Sequence, residues 1–300
     1  MRYRVWHRTT YTYDDDVTDS LGVAYLTPRE GPFQKVGERV LRVTPDTPEV
    51  RDDVDVHGNT ATYFQVVRPH RELEVYAESV VDVTTPVYDD DVLATPWERA
   101  RPAVRSDAPD AWEAWDFVLD SRMADQTPEA HAYGAVSLTP GRPIGEAVSD
   151  LVRRIHEDFA YEQGATTVTT TVADVLASRA GVCQDFAHLT LACLRSHGLA
   201  VRYVSGYLAT TPPPGKARLV GADASHAWSA VWVPGPAADD GTVRPGQWLA
   251  VDPTNDTWAD DRYVTVAWGR DYADVPPLKG VIFTEATTST LKVAVDVAPL

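Results

Sequence analysis

Hydrophobic and polar positions alternate with a period of two through much of the first 88 residues. The stretch "RYRVWHRTTYTY" (2–13) shows this most cleanly, "RVLRVTP" and "TATYFQVVRP" less so, and "ELEVYAESVVDVT" closes the series. Turn clusters "TPREGP", "TPDTP" and "VHGNT" separate these runs. The pattern predicts an N-terminal antiparallel β-sandwich-like domain over 1–88. From 89 to 135 the chain turns rich in Ala, Asp and Pro and reads as a linker with short helices. Trp112 and Trp115 are spaced to share a helical face there, expected to pack the linker onto a neighbour, with substrate stacking as the alternative.

The period then shifts to 3.6. Val148, Leu151, Val152, Ile155 and Phe159 predict a helix over 144–159. Thr171 and Asp174 form a capping box opening a second helix that ends near Arg179. A third is expected from Cys183 to His197, stopped by Gly198. Strand patterns follow in "AVRYVSGYLA", "HAWSAVWVPG" and "GQWLAVDPT", and the tail adds "RYVTVAWG" and "TLKVAVDVAP". Helices first and an antiparallel set afterwards make an α+β core over 136–258, with C-terminal strands over 259–300 completing the structure.

Composition narrows the function classes. Forty-four acidic residues against 27 basic ones give a net charge of -17, which argues against nucleic acid or an anionic membrane surface as partner. Cys183 and Cys193 are the only cysteines, ten residues apart on one predicted helix and so about 15 Å apart along its axis. They cannot bridge, and a reducing compartment is favoured. No apolar run is long enough to span a bilayer, and the N-terminus reads as a strand without an apolar signal core. A cytoplasmic protein is expected, and no feature assigns an oligomeric state.

Cys183 raises the question of chemistry. A thiol opening a helix sits among unpaired amide N–H groups that favour the thiolate. Free cysteines are more often small buried hydrophobes, so a nucleophile also needs a base and an orienting group. His226 begins one predicted strand and Asp252 ends the next, joined by Pro234 to Gly246. Antiparallel pairing brings the start of one beside the end of the other. His226, Trp228 and Trp232 share one face; Trp248, Ala250 and Asp252 share one of theirs. A Cys–His–Asp relay from three elements is then within reach. His188 is turned away from the thiol at i+5, and His197 reads as a cap. A zinc site from the same three residues is disfavoured, since no close ligand pair such as CxxC or HExxH exists. The two "YDDDV" runs lack EF-hand spacing and read as solvated turns. No phosphate loop is present, and no metal or cofactor is called for.

The blocks "RAGVCQDFAHLTLACLRSHGLAVRYVSGYL", "DASHAWSAVWVPG" and "WLAVDPTND" resemble the catalytic core of the bacterial transglutaminase-like cysteine-protease family. "YRVWHRTTYTYDDDVTDSLGVAYLTPRE" resembles its β-rich N-terminal region, and "VAWGRDYADVPPLKG" the segment that follows the core. The resemblance implies a papain/transglutaminase-like core with Cys183 as nucleophile, His226 as base and Asp252 as orienting residue. It implies a thioester acyl-enzyme formed from a peptide, protein or small amide substrate. The backbone N–H of Cys183 is one oxyanion donor, with Gln163, Tyr161 and Gln184 as candidates for the second. Asp185, Trp228, Asn255, Arg270, Asp271 and Tyr272 are candidate cleft residues. Hydrolysis to a protease or amidase is the expected outcome, because an amine acceptor requires a dedicated site. Transfer to an amine, as in a transglutaminase, and an idle binding or assembly module are the alternatives.

Overall fold

The computed structural model describes residues 1–47, 49–167, 169–210, 225–236 and 242–300. The antiparallel N-terminal sheet is built from β1 (Arg2–Ala24), β2 (Gln34–Thr44), β3 (Val50–Val54), β4 (Thr60–Val66) and β5 (His70–Val83). The alternation of β1 is realised literally: Tyr3, Val5, His7 and Thr9 are buried and the residues between them are not. At 23 residues this strand outruns any single neighbour. Its first stretch pairs with β5, the register breaks between Thr12 and Val17, and its second stretch pairs with β4. One long strand therefore serves both halves of the sheet. Between them lie Tyr13, Val17, Leu26, Phe64, Val66, Leu73 and Val75, while Tyr3, Val5, Val81 and Val83 join the main core.

Short helices cross to that core: α1 (Asp90–Leu93), a 3-10 turn Trp97–Arg99, α2 (Ala111–Trp115) and α3 (Pro128–Ala135). The expected packing face of Trp112 and Trp115 points outward; they are 73% and 42% exposed. Helix α2 is little more than one turn and closes on its small residues Ala111 and Ala114, which pack with Trp232 and Ala200. Next come α4 (Ile144–Asp158), β6 (Ala160–Tyr161), α5 (Val172–Ser178), β7 (Ala180–Gly181) and α6 (Cys183–Arg195). The apolar stripe of α4 is the buried one, and the capping box of Thr171 and Asp174 forms at the head of α5. The third helix ends two residues before His197, and Gly198 beyond it takes the left-handed conformation at φ 80.

A second sheet covers α6. Strands β8 (Val201–Leu208), β9 (Ser225–Val233), β10 (Gln247–Asp252), β11 (Thr257–Trp258) and β12 (Tyr263–Gly269) lie in the order β11-β10-β9-β8-β12. Residues 237–241 of the β9–β10 connection, and the start of the "DASHAWSAVWVPG" block, fall outside the described residues. Every residue of α6 from Asp185 to Arg195 is buried, so the helix is enclosed on all sides. Arg195 is tolerated there because it donates to the carbonyls of Val201, Leu119 and Arg270 and to Ser121 Oγ. The chain closes with β13 (Leu278–Thr284) and β14 (Ser289–Pro299), which leave this sheet and pair with β1. The last strands thus divide: β12 extends the core sheet and the final two edge the N-terminal one. Among the described residues no helix is long and apolar enough to cross a membrane.

Gly206 of β8 lies opposite His226 of β9. A methyl group there would run into the carbonyl oxygen of Val264 and the indole of Trp228. Gly206→Ala is expected to cost about 1–3 kcal/mol, read from the urea midpoint. An unshifted midpoint would mean the three strands are looser here than their packing implies.

Candidate active site

Cys183 occupies the first helical position of α6, after Val182 in extended conformation. The turn is set by Asp185, whose carboxylate reaches back to accept the Val182 N–H at 2.8 Å and the Thr166 hydroxyl at 2.6 Å. Burial pushes the Asp185 carboxyl up, with those two donors opposing. Gly181 is required by this fold-back, since a Cβ would come within 2.9 Å of Asp185 Cβ. Because Asp185 is spent on the Val182 amide, the amides of the first helical turn remain beside the thiol without intrahelical partners. The thiol itself is half-buried, whereas Cys193 is fully buried and pushed up to about 12 by burial.

The β9–β10 register supplies the other two groups. Pairing runs antiparallel from Gln247 opposite Val233 to Val251 opposite Ser229. Asp252 is one residue past the last pair and diagonal to His226 on the same face. Their side chains meet at 2.7 Å, His226 Nε2 to Asp252 Oδ2. Asp252 is completely buried and its oxygens are filled. Asn255 Nδ2 donates to Oδ2 at 2.7 Å, the Tyr263 hydroxyl donates to Oδ2 at 2.8 Å, and the Thr254 N–H donates to Oδ1 at 2.8 Å. Burial alone would push this carboxyl up; the hydrogen bonds of His226, Asn255 and Tyr263 outweigh it and leave it below its usual range. For His226 burial works against the charged ring, but hydrogen bonds to Asp252 and to the Cys183 thiol, with the charge of both, raise it from 6.5 to about 10. With Nε2 committed to Asp252, Nδ1 is the nitrogen left to face the thiol.

The remaining candidates divide. Tyr161 pairs with Gly181 across β6 and β7, and its phenol is pushed up by burial and then by the Cys183 sulfur, with Gln163 hydrogen-bonded to it. Gln184 is half-buried on the same helical turn as Cys183. Trp228 is buried and stacks on His226 at 6.1 Å, while Asn255 touches Asp252. The 270–272 loop is placed against the flank of α6. The Arg270 side chain pairs with Asp274, buried Asp271 accepts the amides of Met123 and Ala273, and the Tyr272 N–H donates to His188 Nε2.

Three contacts were invisible in the sequence. Tyr263 lies on a strand read only as tail, yet its hydroxyl completes the Asp252 shell. Buried Tyr203 is raised first by burial and then by the charge of Cys183. His156 Nδ1 bonds the Thr254 carbonyl and steadies the turn after Asp252. Residue type alone carried no signal for these, because each partner is far away along the chain. Among the described residues no cluster of three or more His, Cys, Asp or Glu is placed to hold a metal ion.

Comparison with known proteins matches this layout. Residues 3–82 match the bacterial transglutaminase-like N-terminal region and residues 133–253 the transglutaminase-like superfamily. An uncharacterised protein of Mycobacterium tuberculosis is 47% identical over 99% of this chain and 93% of its own length. One from Mycobacterium leprae is 34% identical over 100% of this chain and 99% of its own. A crystal structure from Cytophaga hutchinsonii, described as a candidate cysteine protease, superposes with a TM-score of 0.72 at 19% identity. It covers 99% of this chain and 97% of that one, a likeness of fold.

Because the folded pKa of His226 lies above its unfolded value, its charge-linked stabilisation is full below pH 6.5 and is lost as pH rises through about 10. The stability gap between the wild type and His226→Gln is expected to narrow over that window in urea titrations. In Asp252→Asn the ring titration of His226, followed by NMR, should fall by at least about one unit. A midpoint that stays put would show that the carboxylate does not hold the charge.

Proposed function

The chain belongs to the bacterial transglutaminase-like family, and from that premise we propose that it is a cysteine-dependent amide-bond hydrolase. The observation that carries this reading is one imidazole, His226, bonded to buried Asp252 and raised in pKa by that carboxylate and by the nearby Cys183. Cys183 is the nucleophile, His226 the base and Asp252 the group that orients the ring. His226 holds the proton given up by Cys183, and the resulting thiolate, paired with the charged ring, attacks the amide carbonyl. The tetrahedral oxyanion is met by the Cys183 N–H at the head of α6, with Tyr161, Gln163 and Gln184 the candidates for the second donor. Collapse breaks the C–N bond, and His226 returns the proton to the departing amine. Water, deprotonated by the same ring, then attacks the thioester, releasing the acid and restoring the thiol. The substrate class is a peptide, protein or small amide. Two free thiols fit a reducing, cytoplasmic setting.

Iodoacetamide, followed by peptide mass spectrometry, is expected to label Cys183 at neutral pH and to spare Cys193, whose thiol is buried. His226→Ala should slow that labelling. Against a panel of peptide amides, Cys183→Ala should abolish turnover and His226→Ala should lower kcat/KM by about 10²–10⁴-fold. A fluorescent primary amine in the same assay separates the outcomes. Covalent incorporation into the acyl group would make the enzyme an acyltransferase. Labelling indifferent to His226, with no turnover, would leave a binding module on this fold.

A further inference from the structure

The face of the core sheet turned away from α6 holds two stacked guanidinium groups, and among the described residues neither forms an ion pair, although the charge of Asp55 acts on Arg29. Arg202 Cζ lies 3.5 Å from the ring centre of Trp268 and 4.2 Å from that of Trp248, and Arg29 Cζ lies 3.0 Å from Trp268. Two guanidinium groups that close to one ring cannot share a face, so the order is Arg29, Trp268, Arg202, Trp248. The Trp268 end is anchored by Asn59. Its Nδ2 donates to the Trp268 carbonyl, and its Oδ1 accepts both the Trp268 N–H and Arg29 Nη1. Stacking satisfies the faces of the guanidinium groups and leaves their N–H edges in plane. Arg29 Nη1 also donates to the His57 carbonyl, but Nε of Arg29 and Nε of Arg202 are buried without a partner, and no carboxylate pairs with Arg202 among the described residues.

The stack borders a cavity of about 890 Å³ between the two sheets, a size that suits a small organic ligand. Tyr88 and Phe117 supply further apolar wall, and Phe117 stands edge-on to Trp248 at 5.3 Å. Acidic side chains of Glu30, Glu113 and Asp116 also line it, and the chain carries a net charge of -17. A polyanion such as a nucleotide meets several-fold more repulsion on the way in than a single carboxylate on an apolar body. Neither Cys183 nor His226 lines this cavity. Trp228 and Tyr263 do, and they separate it from the thiol side by their contacts to His226 and Asp252.

We propose that this cavity is a second ligand site, taking a small monocarboxylic acid whose carboxylate sits edge-on against Arg202 and whose apolar body lies among Trp248, Phe117 and Tyr88. A carboxylate matches the in-plane fork of a guanidinium in two parallel hydrogen bonds, and the aromatic walls exclude water from the pair.

Calorimetric titration of the full-length chain with phenylacetate and indole-3-propionate, against their primary amides and inorganic phosphate, tests this. The acids are expected to bind saturably at or below about 1 mM, with the amides and phosphate weaker by on the order of tenfold or more. Arg202→Gln should lose the acid preference while Cys183 labelling by iodoacetamide stays at the wild-type rate, so that failure here and failure of the proposed chemistry remain separable. Arg202→Lys, which keeps the charge and removes the fork, serves if the glutamine variant does not fold, and should also lose most of the preference. Equal binding of acids and amides, preference retained in either variant, or no acid binding would each reduce the stack to a structural one and overturn the proposal.

Discussion

A carboxylate with no exposed surface must be surrounded by donors, and the second half of this fold is arranged around meeting that demand at Asp252. Its donors come from β9, from the turn after β10 and from β12, so His226, Asn255, Thr254 and Tyr263 are fixed by one shared need. Removing a single donor from such a group leaves a buried charge short of a partner, at a cost of about 1–3 kcal/mol. The site is therefore held by electrostatics as much as by packing. The same carboxylate keeps the His226 ring charged and aimed, which is the geometric condition for the thiol chemistry proposed for Cys183.

Burial of α6 is the complementary constraint. The helix has to deliver Cys183 at its first position while the rest of it disappears into apolar surroundings. Asp185 and Gly181 fix where the helix begins; Arg195, satisfied by four groups from three segments, fixes where it ends. Neither end floats, so the thiol is positioned by the whole length of a rigid element and not by a loop.

This division explains what could be read from the residues. Periodicity exposed α4, the cap of α5 and the strand pair carrying His226 and Asp252, because burial of one face imprints itself on the pattern. Strands β3 and β13 left no such imprint: all of Val50–Val54 is exposed, and Leu278–Thr284 nearly so, because edge strands in solvent have no face to hide. Trp112 and Trp115 misled for the converse reason, large aromatics turned outward on a helix too short to bury them. The three residues proposed for the chemistry stood in blocks with a family likeness. Tyr263, Tyr203 and Thr166 were not, since nothing in a tyrosine or threonine announces a partner on another element.

The Arg–Trp stack was least legible of all, assembled from Arg202, Trp248 and Trp268 of the core sheet and Arg29 of the β1–β2 connection. Its existence bears on why the N-terminal sheet is present. A helix on one face of β8–β12 is enough to place a thiol and a base at the sheet edge, and for that purpose the opposite face needs only apolar cover. Instead it carries Arg202, whose ordinary charge burial drives well down, with Arg29 adding repulsion. Two like charges against one indole are an expensive way to cover a sheet, and a methionine would pack as well at lower cost. The connections of the N-terminal sheet contribute Arg29 and Asn59, so both the expense and the walls of the cavity are shared between the two halves. Such a cost is offset when an anion enters, as the proposed ligand site requires, while the shared apolar core with Tyr3, Val5, Val81 and Val83 holds the two sheets together.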